Sequence, residues 1–187
     1  MAKTLLAIVG ILVIVALGAF LLSSNQQLNK DVMMNDASKE QVRKEPPQAM
    51  AKDPFTLINV NGGEISLAEL QKSNKPILIY FFATWCPVCE KDLRSLNATY
   101  QNYQGKIDVI VVGFDPTETP EQIRQYRQSR GYSWAFAEYS KDALLHFKII
   151  TQSTKIGINA KGSELFRDGY GVLSRSDWAV RLDKLLA

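Results

Sequence analysis

The stretch FFATWCPVCEKD, residues 81–92, contains both cysteines of the 187-residue chain, Cys86 and Cys89. The run PILIYFFAT that leads into it is continuous, apolar and rich in β-branched and aromatic residues, which is typical of a strand buried on both faces. The segment that follows, VCEKDLRSLNATYQNY, has apolar residues at helical spacing. The cysteine pair is therefore predicted to lie where a buried strand ends and a helix begins.

This position favours thiol chemistry. Unpaired backbone N–H groups and the positive end of the helix dipole stabilise an anion in the first turn of a helix, and such sites lower the pKa of a cysteine from its usual value of about 8.5. Cys86, expected in that first turn, is the predicted nucleophile, and Cys89 is predicted to resolve the mixed disulfide that Cys86 forms. Pro87 is compatible with the helix start because a first-turn N–H has no intrahelical partner.

Other roles for the cysteine pair remain open. Zinc usually takes four ligands, and the chain adds only one histidine, His146, to its two cysteines, so a zinc site would need ligands from two chains. Copper suits two thiolates, and a copper-binding or copper-delivery protein is the alternative from a different class. A third alternative is a redox-inactive module that recognises partners. For the redox interpretation we predict neither a metal nor a cofactor.

The charge of the chain limits its partners. Its formal charge of +3 comes from 22 basic and 19 acidic residues, and the basic residues are scattered along the sequence. Nucleic-acid binding needs basic residues clustered on one face. Nucleic acid is therefore not expected as a partner.

The N-terminal residues are predicted to lie in a membrane. Residues 5–22, LLAIVGILVIVALGAFLL, contain no charged or strongly polar side chain, and a helix of this length crosses a bilayer core of about 30 Å. We predict an uncleaved anchor over residues 1–22, because the apolar region of a cleaved signal peptide is usually about 7–15 residues. Lys3 before the span indicates a cytoplasmic N-terminus and an extracytoplasmic, periplasmic domain. Residues 23–53 are polar and read as a linker, which leaves residues 54–187 for the domain.

The remaining patterns predict an α/β fold for this domain. FTLINVNGGEISL indicates a β-hairpin, and IDVIVVGFD is a second buried strand that makes a right-handed parallel unit with the first. TPEQIRQYRQSRGY is predicted to be a helix capped by Thr119 and ended by Gly131. KDALLHF indicates a short helix, STKIGIN and SELFRDG two strands, and SRSDWAVRLDKLLA a closing helix. Together they predict a central mixed sheet with helices on both faces.

The combination of FTLINVNGGEISLAEL, KPILIYFFATWCPVCEKDL, IDVIVVGFD and INAKG resembles the membrane-anchored thioredoxin-like proteins of the TlpA/ResA/DsbE type, over nearly all of residues 54–187. The resemblance implies a thioredoxin-like fold with an inserted helix and strand, an extracytoplasmic location and thiol-disulfide exchange. It implies a reductant of exported proteins, often in cytochrome c maturation, that is supplied by a membrane electron donor. A disulfide-forming oxidant is the rival within the same class.

The resemblance also implies roles for single residues. Asp92 matches a carboxylate that is thought to manage protons at the buried thiol, and the alternative is a solvated carboxylate near a helix start. Trp85, Pro87 and Ser153 are candidates for substrate binding, although Trp85 could equally be a packing residue. Ser153 falls where the fold usually has a cis-proline, and a cis bond without proline costs about 2.5–4 kcal/mol, so we expect a trans bond. Tyr80 replaces the buried Asp of thioredoxin, so that proton acceptor is absent.

Overall fold

A computed structural model of the chain describes residues 56–187. The predicted anchor, residues 1–22, and the predicted linker, residues 23–53, lie outside the described residues. Among the helices of the described part, none has the length and apolar character needed to span a bilayer.

The described chain begins with the predicted hairpin. Strands β1 (Leu57–Ile58) and β2 (Glu64–Ile65) pair antiparallel, and the two glycines of the turn between them have φ of 91° and 86°, which glycine adopts without steric cost. Helix α1 (Leu67–Lys72) follows at once, with Ser66 as its N-cap. The sequence patterns did not predict α1, because six residues are too few to show a helical period.

The other five strands form the central sheet. They are β3 (Ile77–Phe82), β4 (Asp108–Gly113), β5 (Ala135–Ala137), β6 (Thr154–Ile158) and β7 (Glu164–Asp168), in the order β5-β4-β3-β6-β7. Strand β3 is parallel to β4 and antiparallel to β6, so the predicted mixed sheet is confirmed. All six residues of β3 are buried, as its continuous apolar run predicted. The edge strand β5 has three residues and was not predicted.

Four more α-helices complete the fold: α2 (Pro87–Tyr100), which a 3₁₀ turn (Gln101–Tyr103) follows, α3 (Pro120–Ser129), α4 (Lys141–His146) and α5 (Arg175–Leu186). Helix α3 begins with Thr119 in a capping box and ends before Gly131, whose φ is 64°, as predicted. Side chains of α2, α3 and α5 pack with Leu78, Tyr80 and Phe82 on one face of the sheet. Side chains of α1 and α4 pack with Ile77, Ile79 and Phe81 on the other face. Helices therefore cover both faces.

A glycine on β6 makes room for an aromatic ring on the paired strand β7. Gly157 lies opposite Phe166, and a Cβ added at Gly157 would lie 2.2 Å from an atom of the phenyl ring. Gly157→Ala is expected to push the ring aside and to lower the free energy of unfolding by about 1–3 kcal/mol, as overpacking does. Urea unfolding measures this change. Gly169→Ala, which meets open space, is the control, and an equal loss in both variants would contradict the argument.

Candidate active site

The two cysteines lie at the start of α2. Cys86 is the N-cap residue, with extended backbone, and its Sγ accepts a hydrogen bond from the N–H of Cys89 at 3.1 Å. The prediction placed Cys86 in the first turn; it lies one position earlier, because Pro87 occupies the first helical position. Cys86 and Cys89 form a disulfide with a Cα–Cα distance of 5.2 Å, within the usual range. The helix start therefore directs a backbone donor at the Cys86 sulfur.

The disulfide is shielded from solvent. Cys86 is 1% exposed and Cys89 is fully buried, whereas the neighbouring Trp85 is 58% exposed. Trp85 is therefore not a core residue, and its role in substrate binding stays a prediction. The two cysteines themselves contribute almost no surface. The large apolar side chain exposed next to Cys86 is Trp85.

The segment before the disulfide is attached to the loop that follows β4. The indole N–H of Trp85 donates to Oδ2 of Asp115 at 2.7 Å. The backbone N–H and the hydroxyl of Thr84 both donate to Oε1 of Glu118. Hydrogen bonds from the backbone and hydroxyl of Thr117, and then from Trp85, hold the pKa of Asp115 below its usual value. Asp115 therefore stays ionised near neutral pH and fixes the orientation of the indole.

Asp92 lies on α2 and is fully buried. Its position three residues after Cys89 places both side chains on the same face of α2. Its Oδ1 accepts hydrogen bonds from the indole N–H of Trp178 and the backbone N–H of Leu173, each at 2.9 Å. The alternative of a solvated carboxylate is therefore wrong.

The other oxygen of Asp92 contacts the central sheet. The hydroxyl of Tyr80 donates to Oδ2 at 3.0 Å, and Nζ of Lys155 lies 2.8 Å from the same atom. Tyr80 and Lys155 are directly opposite each other on β3 and β6, and Lys155 is 1% exposed. A buried charge is costly unless it is paired and hydrogen-bonded. Asp92 meets both conditions, because one cation and three further donors surround its two oxygens.

Ser153 joins the same network from the loop before β6. It is buried, with φ of 60° and a trans peptide bond before it. Its N–H donates to the carbonyl of Phe81 at 2.7 Å, and its hydroxyl donates to the carbonyl of Gly171 at 3.0 Å and lies 2.9 Å from the Tyr80 hydroxyl. Both donors of Ser153 are therefore used inside the protein. Substrate binding at Ser153 stays a prediction, and it would involve the loop around Ser153 and not its two donors.

Tyr80 is a permanent donor in this network. Burial raises its pKa far above the usual value, the nearby negative charge of Asp92 raises it further, and the hydrogen bond with Ser153 opposes the shift in part. The phenol therefore remains protonated near neutral pH. Tyr80 stands where thioredoxin has a buried Asp. Instead of accepting a proton, it donates a hydrogen bond to the carboxylate of Asp92 on α2.

Sequence reasoning missed two members of the site, Lys155 and Trp178. The segments that contain them, STKIGIN and SRSDWAVRLDKLLA, predict a strand and a closing helix and give no sign of a site. The available signal for Lys155 was a single lysine in a strand whose five residues are all buried. In the part of the chain that the structure describes, no three His, Cys, Asp or Glu side chains are grouped so as to hold a metal ion.

Curated relatives are thiol-disulfide oxidoreductases or thioredoxin-like proteins by name. Thiol-disulfide oxidoreductase ResA of Bacillus thuringiensis (strain Al Hakam) is 28% identical over 102 residues, which cover 54% of each chain. Thioredoxin-like protein YneN of Bacillus subtilis (strain 168) is 24% identical over 131 residues, 69% of this chain and 75% of that protein. The chain thus spans about half the length of the ResA proteins it matches.

Solved structures and a family model agree with the predicted fold. A secreted Mycobacterium tuberculosis disulfide oxidoreductase homologous to E. coli DsbE has a TM-score of 0.61 at 15% identity, over 70% of this chain and 95% of that one. The thioredoxin domain of a Bacteroides vulgatus thiol-disulfide oxidoreductase has a TM-score of 0.60 at 20% identity, over 71% and 93%. The predicted thioredoxin-like fold is confirmed. The AhpC/TSA family model matches residues 47–157, which include the disulfide, Asp92 and Lys155, and the chain therefore belongs to the AhpC/TSA family of thioredoxin-like proteins.

Proposed function

We propose that the chain is a thiol-disulfide oxidoreductase that reduces disulfides in exported proteins on the extracytoplasmic side of the cytoplasmic membrane. The observation that carries this proposal is the Cys86–Cys89 disulfide at the N-terminus of α2, with the carboxylate of Asp92 one turn further on. A helix N-terminus stabilises a thiolate. The names of the curated relatives support the same reaction class.

The reaction starts from the dithiol form. The Cys86 thiolate, stabilised by the N–H of Cys89, attacks one sulfur of a substrate disulfide. A bond forms between Cys86 and that sulfur, the substrate S–S bond breaks, and the other substrate sulfur leaves as a thiolate. Trp85 forms the exposed surface next to the point of attack, and Pro87 begins the helix directly after Cys86.

The second step releases the substrate. Cys89 gives its proton to Asp92, and the resulting thiolate attacks the sulfur of Cys86. The Cys86–Cys89 bond forms, the bond between Cys86 and the substrate breaks, and the second substrate sulfur leaves as a thiolate. The substrate has gained two electrons, and the proton on Asp92 passes to solvent or to the released thiolate.

The sequence supports the proposed location and partners. The apolar residues 5–22 would anchor the chain, and residues 23–53 would give the domain reach from the bilayer. Each turnover leaves the disulfide form, so a membrane electron donor must return two electrons to the cysteine pair. Exported proteins with disulfides are the substrates, and apocytochrome c is the substrate that the resemblance to the TlpA/ResA/DsbE type favours.

The equilibrium reduction potential of the cysteine pair tests the direction of exchange. We expect a value near that of thioredoxin, about −270 mV, when the full chain in detergent is titrated against dithiothreitol with thiol trapping. A value near about −120 mV would instead indicate an oxidant that supplies disulfides. A pair that forms no disulfide but retains copper(I), with retention lost in Cys86→Ser, would indicate a copper carrier. Cys89→Ser, which cannot form the disulfide, is the control for trapping.

A further inference from the structure

Lys155 is a buried cation that contacts several parts of the site. Its Nζ lies 2.8 Å from Oδ2 of Asp92. It also lies 2.6 Å from the carbonyl of Gly171, 3.1 Å from the carbonyl of Gly169 and 3.3 Å from the hydroxyl of Ser153. An ammonium group has three protons to donate. These four acceptors therefore engage it completely, and Asp92 is the anion among them.

The other ionisable groups near Lys155 are neutral or are paired elsewhere, so Asp92 is its ion-pair partner. Asp168 is opposite Lys155 on β7, but Arg181 holds both of its oxygens at 2.8 and 3.0 Å. Tyr80, on β3, stays neutral because burial raises its pKa. From α5 and the loop before it, Asp92 meets only the neutral N–H groups of Trp178 and Leu173. On α2 itself, the titratable neighbour is Cys89, one turn away.

We propose that Lys155 is a positioning residue that keeps Asp92 ionised, so that Asp92 can take the proton of Cys89 in the step that releases the substrate. The inference rests on the proposed function. A carboxyl group buried without a cation is protonated at higher pH, because burial disfavours its charged form. A protonated Asp92 cannot accept a second proton. Without Lys155, the rate of the release step should therefore begin to fall at a higher pH as the solution is made more acidic.

The ion pair also has a structural role that the experiment must separate from proton transfer. Lys155 holds two carbonyls of the loop 169–173, and Asp92 holds the N–H of Leu173 at the end of that loop. Loosening this loop would slow the reaction at every pH. Loss of the charge on Asp92 would slow it only where the carboxyl becomes protonated. The pH profile thus distinguishes the two roles.

Reaction of the reduced full chain in detergent with dithiobis(nitrobenzoate) reports both steps in one trace. The first thionitrobenzoate is released when Cys86 attacks, and the second when Cys89 resolves the adduct. Lys155→Met removes the buried charge and keeps a similar length. Lys161→Met removes an exposed lysine from the turn between β6 and β7 and is the matched control.

The second release in Lys155→Met is expected to be about tenfold slower than wild type near about pH 6, which corresponds to a shift of at least about one pH unit. Near about pH 9 the two rates should agree within about twofold, and the first release should be unchanged. Lys161→Met should follow wild type throughout. An equal slowing at every pH, or no slowing, would overturn the role of Lys155.

A second pair of variants keeps the proposal testable if Lys155→Met folds poorly. Asp92→Asn removes the proton acceptor, so adding Lys155→Met to it should not change the pH profile further. A further shift in the double variant would show that Lys155 does not act through Asp92. Absence of any second release from wild type would instead contradict the proposed function. The two failures are therefore distinguishable.

Discussion

Cys89→Ser is expected to trap the substrate. Cys86 keeps its place at the helix start and still attacks, but no thiol remains to displace the substrate from the mixed disulfide. We expect the adduct on Cys86 to persist at least about a thousandfold longer than in wild type, since removing a group that acts directly in covalent catalysis costs several powers of ten. Mass spectrometry of the acid-quenched reaction of the reduced variant with a disulfide substrate measures the adduct.

Cys86→Ser is the matched control for the trap. Its remaining thiol, Cys89, lies inside α2 and lacks the position at the N-cap, where Cys86 accepts a backbone hydrogen bond, so the variant should form no adduct in the time that Cys89→Ser needs for completion. Rapid adduct formation on Cys89 in Cys86→Ser, together with an inert Cys89→Ser, would reverse the two assigned roles. Equal reactivity of both variants would contradict a defined attacking cysteine.

Asp92→Ala is expected to have the largest effect on stability. It leaves the ammonium of Lys155 buried without an anion, and breaking a buried pair in this way costs about 3–5 kcal/mol. That is a large part of the total of about 5–15 kcal/mol that stabilises most domains. Urea unfolding of the oxidised protein, followed by far-ultraviolet circular dichroism, measures the loss. Glu69→Ala, which breaks an exposed ion pair with Lys72, should cost no more than about 1 kcal/mol.

A double variant identifies the source of the loss. Asp92→Ala combined with Lys155→Met removes both charges, so no unpaired ion stays in the core. We expect this protein to be more stable than Asp92→Ala alone. A double variant that is less stable than the single one would show that the unpaired charge is not the cause. The hydrogen bonds from Lys155 to the carbonyls of Gly169 and Gly171, which only the double variant loses, would then account for the further loss.

Much of the fold was predictable because its main elements have strong local signals. The apolar runs of β3 and β4 are long enough to identify buried strands, and Thr119, Pro120 and Gly131 mark both ends of α3. Helix α1 and strand β5 have six and three residues. Elements this short carry too few residues to show a period, and their structure depends on tertiary contacts.

Spacing alone predicted the site only where its residues are close in sequence, and Ser153 was a candidate through the family resemblance. The spacing of Cys86, Cys89 and Asp92 places them on consecutive turns at one helix start. Trp178 contacts Asp92 from 86 positions further along the chain, and Lys155 reaches it because β6 lies antiparallel beside β3. Sheet topology brings these groups together. A lysine and a tryptophan read one at a time do not indicate that they share a carboxylate.

The hydrogen bond between Trp178 and Asp92 couples the fluorescence of an indole to the charge of the site. The emission of an indole depends on the electric field around it, and Trp178 is fully buried with its N–H directed at the carboxylate. The other two tryptophans of the chain, both within the described residues, lie elsewhere: Trp85 is largely exposed, and Trp134 is stacked on Tyr132 at 5.0 Å. Trp178 is therefore a built-in fluorophore in direct contact with the carboxylate of Asp92, and it needs no added label.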